Sequence, residues 1–207
     1  DFPTTPFPNP EEAGAIDLCL EYARKLNADL VIANDPDADR CAIAINDGAI
    51  GWRMLRGDEV GIILGNYLIK KNKKSNLAIA NSLVSSSLLG KIASKNHLAF
   101  EETLTGFKWI SKIDNLLFGY EEALGYCVDP KVVNDKDGIS AAIINAAIRN
   151  QAAAIDKVFS KLEEYPTVPQ LRAYLKEELN FPEKKSNKRK SIHSDFDRFI
   201  EARTERL

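Results

Sequence analysis

Asp35, Asp37 and Asp39 alternate along one short stretch, Asn34-Asp35-Pro36-Asp37-Ala38-Asp39-Arg40, and a fixed cation closes it. Three carboxylates this close raise one another's pKa unless a cation or hydrogen-bond donors compensate. A hard divalent ion with oxygen ligands, Mg²⁺ or Ca²⁺, answers that need, and Arg40 adds a counter-charge for an anion beside it. An EF-hand loop is excluded, because it places Gly sixth and a bidentate Glu twelfth. Counting from Asp35, those positions hold Arg40 and Asn46. Asp-rich turns also arise from side-chain turns and helix caps alone. The apolar run before the acids and the arginine after them favour the metal.

Three further segments carry groups of use to an anionic or polyhydroxylated ligand. Thr105-Gly106-Phe107-Lys108 puts Gly106 and Lys108 at a strand-to-helix turn, where backbone N–H groups favour phosphate. Gly119-Tyr120-Glu121-Glu122-Ala123-Leu124-Gly125 reads as a loop between two strands. Its glycines permit close ligand approach, and its acids can accept hydrogen bonds from sugar hydroxyls. Asp135-Lys136-Asp137-Gly138 brackets a lysine with two acids before a helix. Capping by Asp137 explains that turn as well as a functional lysine does. Ser82, Ser85, Ser86 and Ser87 have no nucleophile-elbow context, and helix capping is assigned to them. His97 and His193 have no partner recognisable in the sequence.

The elements that must position these groups alternate between strand and helix. Asn9, with Pro10 at the first helical position, is expected to cap a helix reaching about Lys25. Leu30–Ala33 and Cys41–Ile45 read as strands around the acidic loop, with a hairpin turn at Asn46-Asp47-Gly48. Asp58 is expected to cap a helix to about Lys71. A strand at Leu77–Ala80, a serine-capped helix through Ile92 and a strand at His97–Phe100 follow. A short helix is expected over Phe107–Lys112, a strand over Leu116–Phe118, and a long helix over 138–162. This alternation predicts an α/β fold: a mixed, mostly parallel sheet with helices on both faces and partial flanking domains. The domain division expected is 1–52, 53–162 and 163–207.

Composition sets the class. The chain has 207 residues, 44% hydrophobic and 28% charged, with a formal charge of −2. That size buries a core, and that charge supplies no basic field for nucleic acid or membrane. Lys184, Lys185, Lys188, Arg189 and Lys190 form a basic stretch without interleaved aromatics, which reads as a solvated linker. No apolar run approaches a membrane span. Cys19, Cys41 and Cys127 are odd in number and far apart, and read as reduced core thiols of a cytoplasmic protein. The opening residues read as mid-protein, so a fragment is expected.

In this order, the four segments resemble those of the α-D-phosphohexomutase superfamily, in its phosphoglucomutase/phosphomannomutase branch, from Phe7 to about Leu162. The resemblance implies a phosphoryl transfer from a phosphoserine to a sugar, through a sugar bisphosphate, interconverting hexose 1-phosphate and hexose 6-phosphate. It implies Mg²⁺ held by Asp35, Asp37 and Asp39, with Arg40 on the phosphoryl group. Lys136 becomes a general acid/base, which calls for a lowered pKa. Thr105, Gly106, Lys108, Glu121 and Glu122 become substrate contacts, and a hexose phosphate and a sugar bisphosphate the partners.

The departures are informative. The family's Ser-His-Asn phosphoserine segment does not occur here, so this chain alone is expected to be inactive and to hold Mg²⁺ weakly. Ala123 stands where many members have Ser. Residues 167–175 resemble the end of the fourth domain's phosphate-clamp loop without its usual Arg-Pro-Ser-Gly lead. A phosphopentomutase, a metal-dependent phosphohydrolase and a non-catalytic sugar-phosphate binding module stay open as alternatives.

Overall fold

The computed structural model describes residues 5–48, 50–72 and 76–150. These lie within one compact unit, Asp1–Ala153. The basic stretch, the segment resembling a phosphate clamp, His193 and the end of the long helix fall outside the described residues.

The first sheet is antiparallel, in the order β1 (Val31–Asn34), β2 (Cys41–Asn46), β3 (Trp52–Met54). Asn34 faces Cys41 across the first pair, so residues 35–40 are the connection of a β-hairpin. The second pair closes at Asn46 and Trp52. Its connection is therefore 47–51, longer than the turn expected at 46–48, with Asp47 N–H bonded to the Gly51 carbonyl at 3.0 Å. Arg53 joins Asp47 at 3.1 Å and Glu59 at 2.9 Å, a solvent-exposed network that contributes little to stability.

Ahead of this sheet, α1 spans Asp17–Leu26, seven residues later than the start expected at Pro10. Asn9 does supply its side chain, but to Glu11 N–H at 3.1 Å, forming a turn. Bonds three residues apart then carry the chain past Gly14, whose φ is +82°. That left-handed residue is incompatible with a continuous right-handed helix. Ala23 of α1 packs with Val31 and Ala44. Cys19 is exposed, correcting the expectation of three core thiols. Cys41 and Cys127 are buried, and burial pushes each thiol up to about 12.

The second sheet runs β5 (Ala99–Thr103), β4 (Ala78–Ser82), β6 (Leu116–Glu121), β7 (Gly125–Cys127). The β4–β5 and β4–β6 pairs are parallel and β6–β7 is antiparallel. Its faces carry different side chains because neighbours along a strand alternate. Ile79, Phe118 and Tyr120 are fully buried on the side covered by α2 (Gly57–Lys71) and α3 (Leu88–Lys95). Helix α2 comes close because Gly61 and Gly65 lie directly under the Tyr120 and Phe118 rings. Ala80 and Cys127 face the other way, toward Phe107 and Ile110 of the short helix α4 (Phe107–Ile110). The stacked rings of Phe118, Tyr120 and Tyr126, 6.0 and 6.5 Å between centroids, form the middle of the core. Full burial of each such side chain contributes roughly 1.5–3 kcal/mol.

The architecture is thus α/β with helices on both faces of a mixed, mostly parallel sheet. Several boundaries differ from expectation. Helix α2 begins at Gly57 with Arg56 at the N-cap, and Glu59 accepts the Arg56 N–H at 2.8 Å. Asp58 is therefore not the cap. Ser87 precedes α3 without a capping bond, while Ser86 Oγ accepts Leu88 N–H at 3.2 Å. Strand β5 starts at Ala99, after His97 turns the chain at φ +57°. Strand β6 extends to Glu121, so the connection to β7 is only 122–124, not a loop from Gly119 to Gly125. Residues 138–150 are helical to the last described residue (α5).

Candidate functional site

The acidic hairpin is stabilised from within by Arg40. Its backbone N–H donates to Asp35 Oδ1 at 3.0 Å and its Nε–H to Oδ2 at 2.5 Å. Asp35 is only 5% exposed. Burial pushes its pKa upward, but the Arg40 N–H and guanidinium outweigh it, and the carboxyl is held below its usual range. Asn34 Nδ2 donates to the Arg40 carbonyl at 2.7 Å, and Ala38 N–H to the Asp35 carbonyl at 3.0 Å. Ala38 turns the loop at φ +60°, a left-handed position. One oxygen from each of Asp35, Asp37 and Asp39 lies within 4.8 Å of the other two. Hard oxygen donors at that spacing fit Mg²⁺ or Ca²⁺.

Two distant segments close on this hairpin. The chain before α5 brings Lys136, whose Nζ lies 2.8 Å from Asp39 Oδ2. Asp137 Oδ1 accepts Ile139 N–H at 3.1 Å, the N-cap bond expected of it. Gly138 N–H donates to the Ala38 carbonyl at 3.1 Å. From the other side, Cys41 N–H donates to the Leu124 carbonyl at 3.1 Å, and Arg40 forms a β-bridge with Gly125. The 122–124 connection and the acidic hairpin are thereby one hydrogen-bonded body.

The Lys136 ammonium is 5.9 Å from the Phe107 ring centroid. Burial lowers its pKa, but the Asp39 hydrogen bond and the charges of Asp39, Asp135 and Glu121 raise it more. The net shift is upward, opposite to the lowered pKa that general base work calls for. In this arrangement Lys136 is a charged hydrogen-bond donor to Asp39 and a counter-charge to the acidic hairpin.

Glu121 and Glu122 part company. Glu121 Oε1 accepts Gly106 N–H at 2.5 Å, tying the end of β6 to the strand-to-helix turn, where Gly106 has φ +106°. Glu122 Oε2 instead accepts from Ser82 Oγ at 2.9 Å and Ser85 Oγ at 3.0 Å. Thr105 is exposed. Lys108 is exposed and its Nζ lies 5.6 Å from the Trp109 ring centroid. An open cleft of about 470 Å³ lies further along, lined by Glu101, Leu104, Trp109 and Lys112 among others, and holds none of the candidate residues.

The sequence reading did not foresee the contribution of Ser82 and Ser85, or of Phe107. A serine at a strand end reads like any turn serine, and an aromatic beside a lysine in space leaves no trace in spacing.

Residues 56–165 match the family model described as phosphoglucomutase/phosphomannomutase, alpha/beta/alpha domain III. Residues 1–48 match the model for alpha/beta/alpha domain II of the same family. A probable phosphomannomutase of Haemophilus influenzae is 57% identical over 143 residues, covering 69% of this chain and 30% of the relative. A phosphoribomutase of Saccharomyces cerevisiae is 45% identical over 160 residues, covering 69% and 26%. Among solved structures, the open form of parafusin, a phosphoglucomutase from Paramecium, superposes with a TM-score of 0.55 at 26% identity, covering 82% of this chain and 29% of that one. The chain thus spans less than a third of the length of the curated relatives it matches.

Proposed function

Because the chain belongs to the phosphoglucomutase/phosphomannomutase family, we propose that it forms the metal- and sugar-binding part of a mutase. That enzyme would interconvert hexose 1-phosphate and hexose 6-phosphate through a phosphoserine and a sugar bisphosphate. The division expected from sequence fits this reading: a metal-loop segment to about residue 52, then a sugar-binding domain to about 162. The observation that carries it is the 2.8 Å contact between Lys136 and Asp39. It sets a cation from one motif on the acidic loop of another, almost a hundred residues earlier in the chain.

The roles follow from chemistry. Phosphoryl transfer needs neutralised oxygens and in-line placement more than covalent help. A Mg²⁺ ion held by Asp35, Asp37 and Asp39 would supply charge neutralisation at the transferring group. Arg40 spends its Nε on Asp35, which leaves its two terminal nitrogens for the phosphoryl oxygens. Lys136 donates a hydrogen bond or a proton to the same group. Glu121 accepts from sugar hydroxyls, exchanging its Gly106 bond for them. Gly106 N–H, Thr105 and Lys108 bind at the rim.

A pentose phosphate is the second reading, favoured by the yeast phosphoribomutase relative; the Glu-Glu-Ala loop, which lacks a hydroxyl at Ala123, fits either ring size. The test is ³¹P NMR on the full-length protein containing this chain. It would be supplied with Mg²⁺, catalytic sugar bisphosphate and, in turn, mannose 1-phosphate, glucose 1-phosphate and ribose 1-phosphate. The expected result is a hexose 6-phosphate product, with kcat/KM at least about tenfold above that for ribose 1-phosphate, a difference of about 1.4 kcal/mol in transition-state binding. Preferential turnover of ribose 1-phosphate would establish the pentose reading. Inorganic phosphate without an isomer would mean a hydrolase, and binding without any turnover a non-catalytic module.

A further inference from the structure

Strand β6 ends at Glu121, and Glu122 opens the turn that follows; the two side chains take different partners. Glu121 reaches Gly106 and acts electrostatically on Lys136, so it faces the candidate site. Glu122 reaches away from it, into a nest of hydroxyls at the end of β4. Ser82 is fully buried there. Ser82 Oγ and Ser85 Oγ are 2.8 Å apart, and both lie within 3.0 Å of Glu122 Oε2. Ser85 Oγ also accepts the Glu122 N–H at 3.2 Å. Each hydroxyl has a single proton. With both directed to the carboxylate, the Ser85 lone pairs remain for that amide.

The nest is itself fixed. Ser85 N–H donates to the Ser82 carbonyl at 2.9 Å. Asp58 Oδ1 accepts Ser86 N–H at 2.6 Å and Tyr120 O–H at 2.8 Å. Asn81 Nδ2 donates to the Ser86 carbonyl at 3.0 Å. On its far side, the Glu122 carbonyl lies so close to Gly57 that a Cβ there would sit 1.7 Å from the oxygen. The short connection then passes through Leu124, fully buried at φ +64°, to the bond with Cys41. A bulky residue persists in the left-handed region only where its surroundings enforce it.

We infer that Ser82 and Ser85 are positioning residues that grip Glu122, and that this grip sets the sugar-facing side chain of Glu121 against the acidic hairpin. Glu122 is then a brace and not a contact to the ligand. Of the two acids in the Glu-Glu-Ala loop, Glu121 alone reads the sugar. The functional half of this inference rests on the proposed sugar-phosphate site; the grip itself does not.

Ser85→Ala and Ser85→Thr in this chain test it, with two readouts: amide hydrogen exchange by NMR and titration with glucose 6-phosphate. Loss of the Ser85 hydroxyl is expected to speed exchange about tenfold at Glu122 and Gly125, the scale of one buried hydrogen bond, while Ile79 and Phe118 keep their protection. The same variant is expected to bind glucose 6-phosphate about tenfold more weakly, and Ser85→Thr to restore both values to within about twofold. Unchanged exchange at Glu122 in Ser85→Ala, or a Thr variant as impaired as Ala, would overturn the grip. Faster exchange with unaltered affinity would overturn the positioning role. A wild-type chain that fails to bind glucose 6-phosphate would refute the sugar-site reading, while the exchange data would still decide the grip.

Discussion

Gly138→Ala is expected to destabilise this protein by about 2–4 kcal/mol, which lowers Tm by roughly 5–15 °C for a domain of this size. Its Cβ would come within 2.3 Å of the Arg40 carbonyl, 2.5 Å of Asn34 Nδ2 and 2.7 Å of the Ala38 carbonyl. Two of these atoms are backbone, and Asn34 Nδ2 is already bonded to the Arg40 carbonyl at 2.7 Å. None can rotate aside, so α5 must draw back or the hairpin must open. Either movement breaks the Gly138–Ala38 hydrogen bond and parts Lys136 from Asp39. Thermal unfolding by circular dichroism gives the stability. The Lys136 Nζ resonance gives the loss of the ion pair. A Tm within 2 °C of wild type would mean that α5 does not pack on the hairpin in this way.

Asp37→Asn is expected to leave the fold intact and weaken divalent-cation binding on the order of 10- to 100-fold, since affinity at oxygen sites follows the number of charged ligands. Asp37 is exposed, whereas Asp35 is buried against Arg40 and Asp39 is paired with Lys136. Removing either of those two disturbs an ion pair as well as a ligand. Asp37 therefore separates binding from stability. Calorimetric titration with Mg²⁺, alongside thermal unfolding, reads both quantities. Equal Mg²⁺ affinity in wild type and Asp37→Asn would remove this residue from the metal site.

The residues with chemical capacity were visible in the sequence because types and spacing alone mark them: alternating acids, a Gly–Lys turn, paired glutamates, a bracketed lysine. Strand and helix order was visible for the same reason, since apolar runs of four to six residues alternate with helical periodicity. The details that escaped were decided by tertiary contacts. Asn9 and Pro10 carry real helix-start chemistry, yet Gly14 at a left-handed φ delays α1 to Asp17. Asp58 sits where a cap belongs, but Ser86 N–H and the buried Tyr120 hydroxyl claim its carboxylate from 28 and 62 residues away. Nor could spacing reveal that Glu121 and Glu122 serve different neighbours, because that depends on β6 reaching as far as Glu121. Lys136 was expected with a lowered pKa; Asp39 raises it instead.

The acidic hairpin, the Gly106 turn, Glu121 and Lys136 form the proposed sugar-phosphate site. Amide shift mapping of this chain with glucose 1-phosphate in the presence of Mg²⁺ tests it most directly. Asp37, Asp39, Gly106, Glu121 and Lys136 are expected to shift together and to fit a single dissociation constant. Shifts confined to one of these segments, or dissociation constants that differ between them, would contradict it.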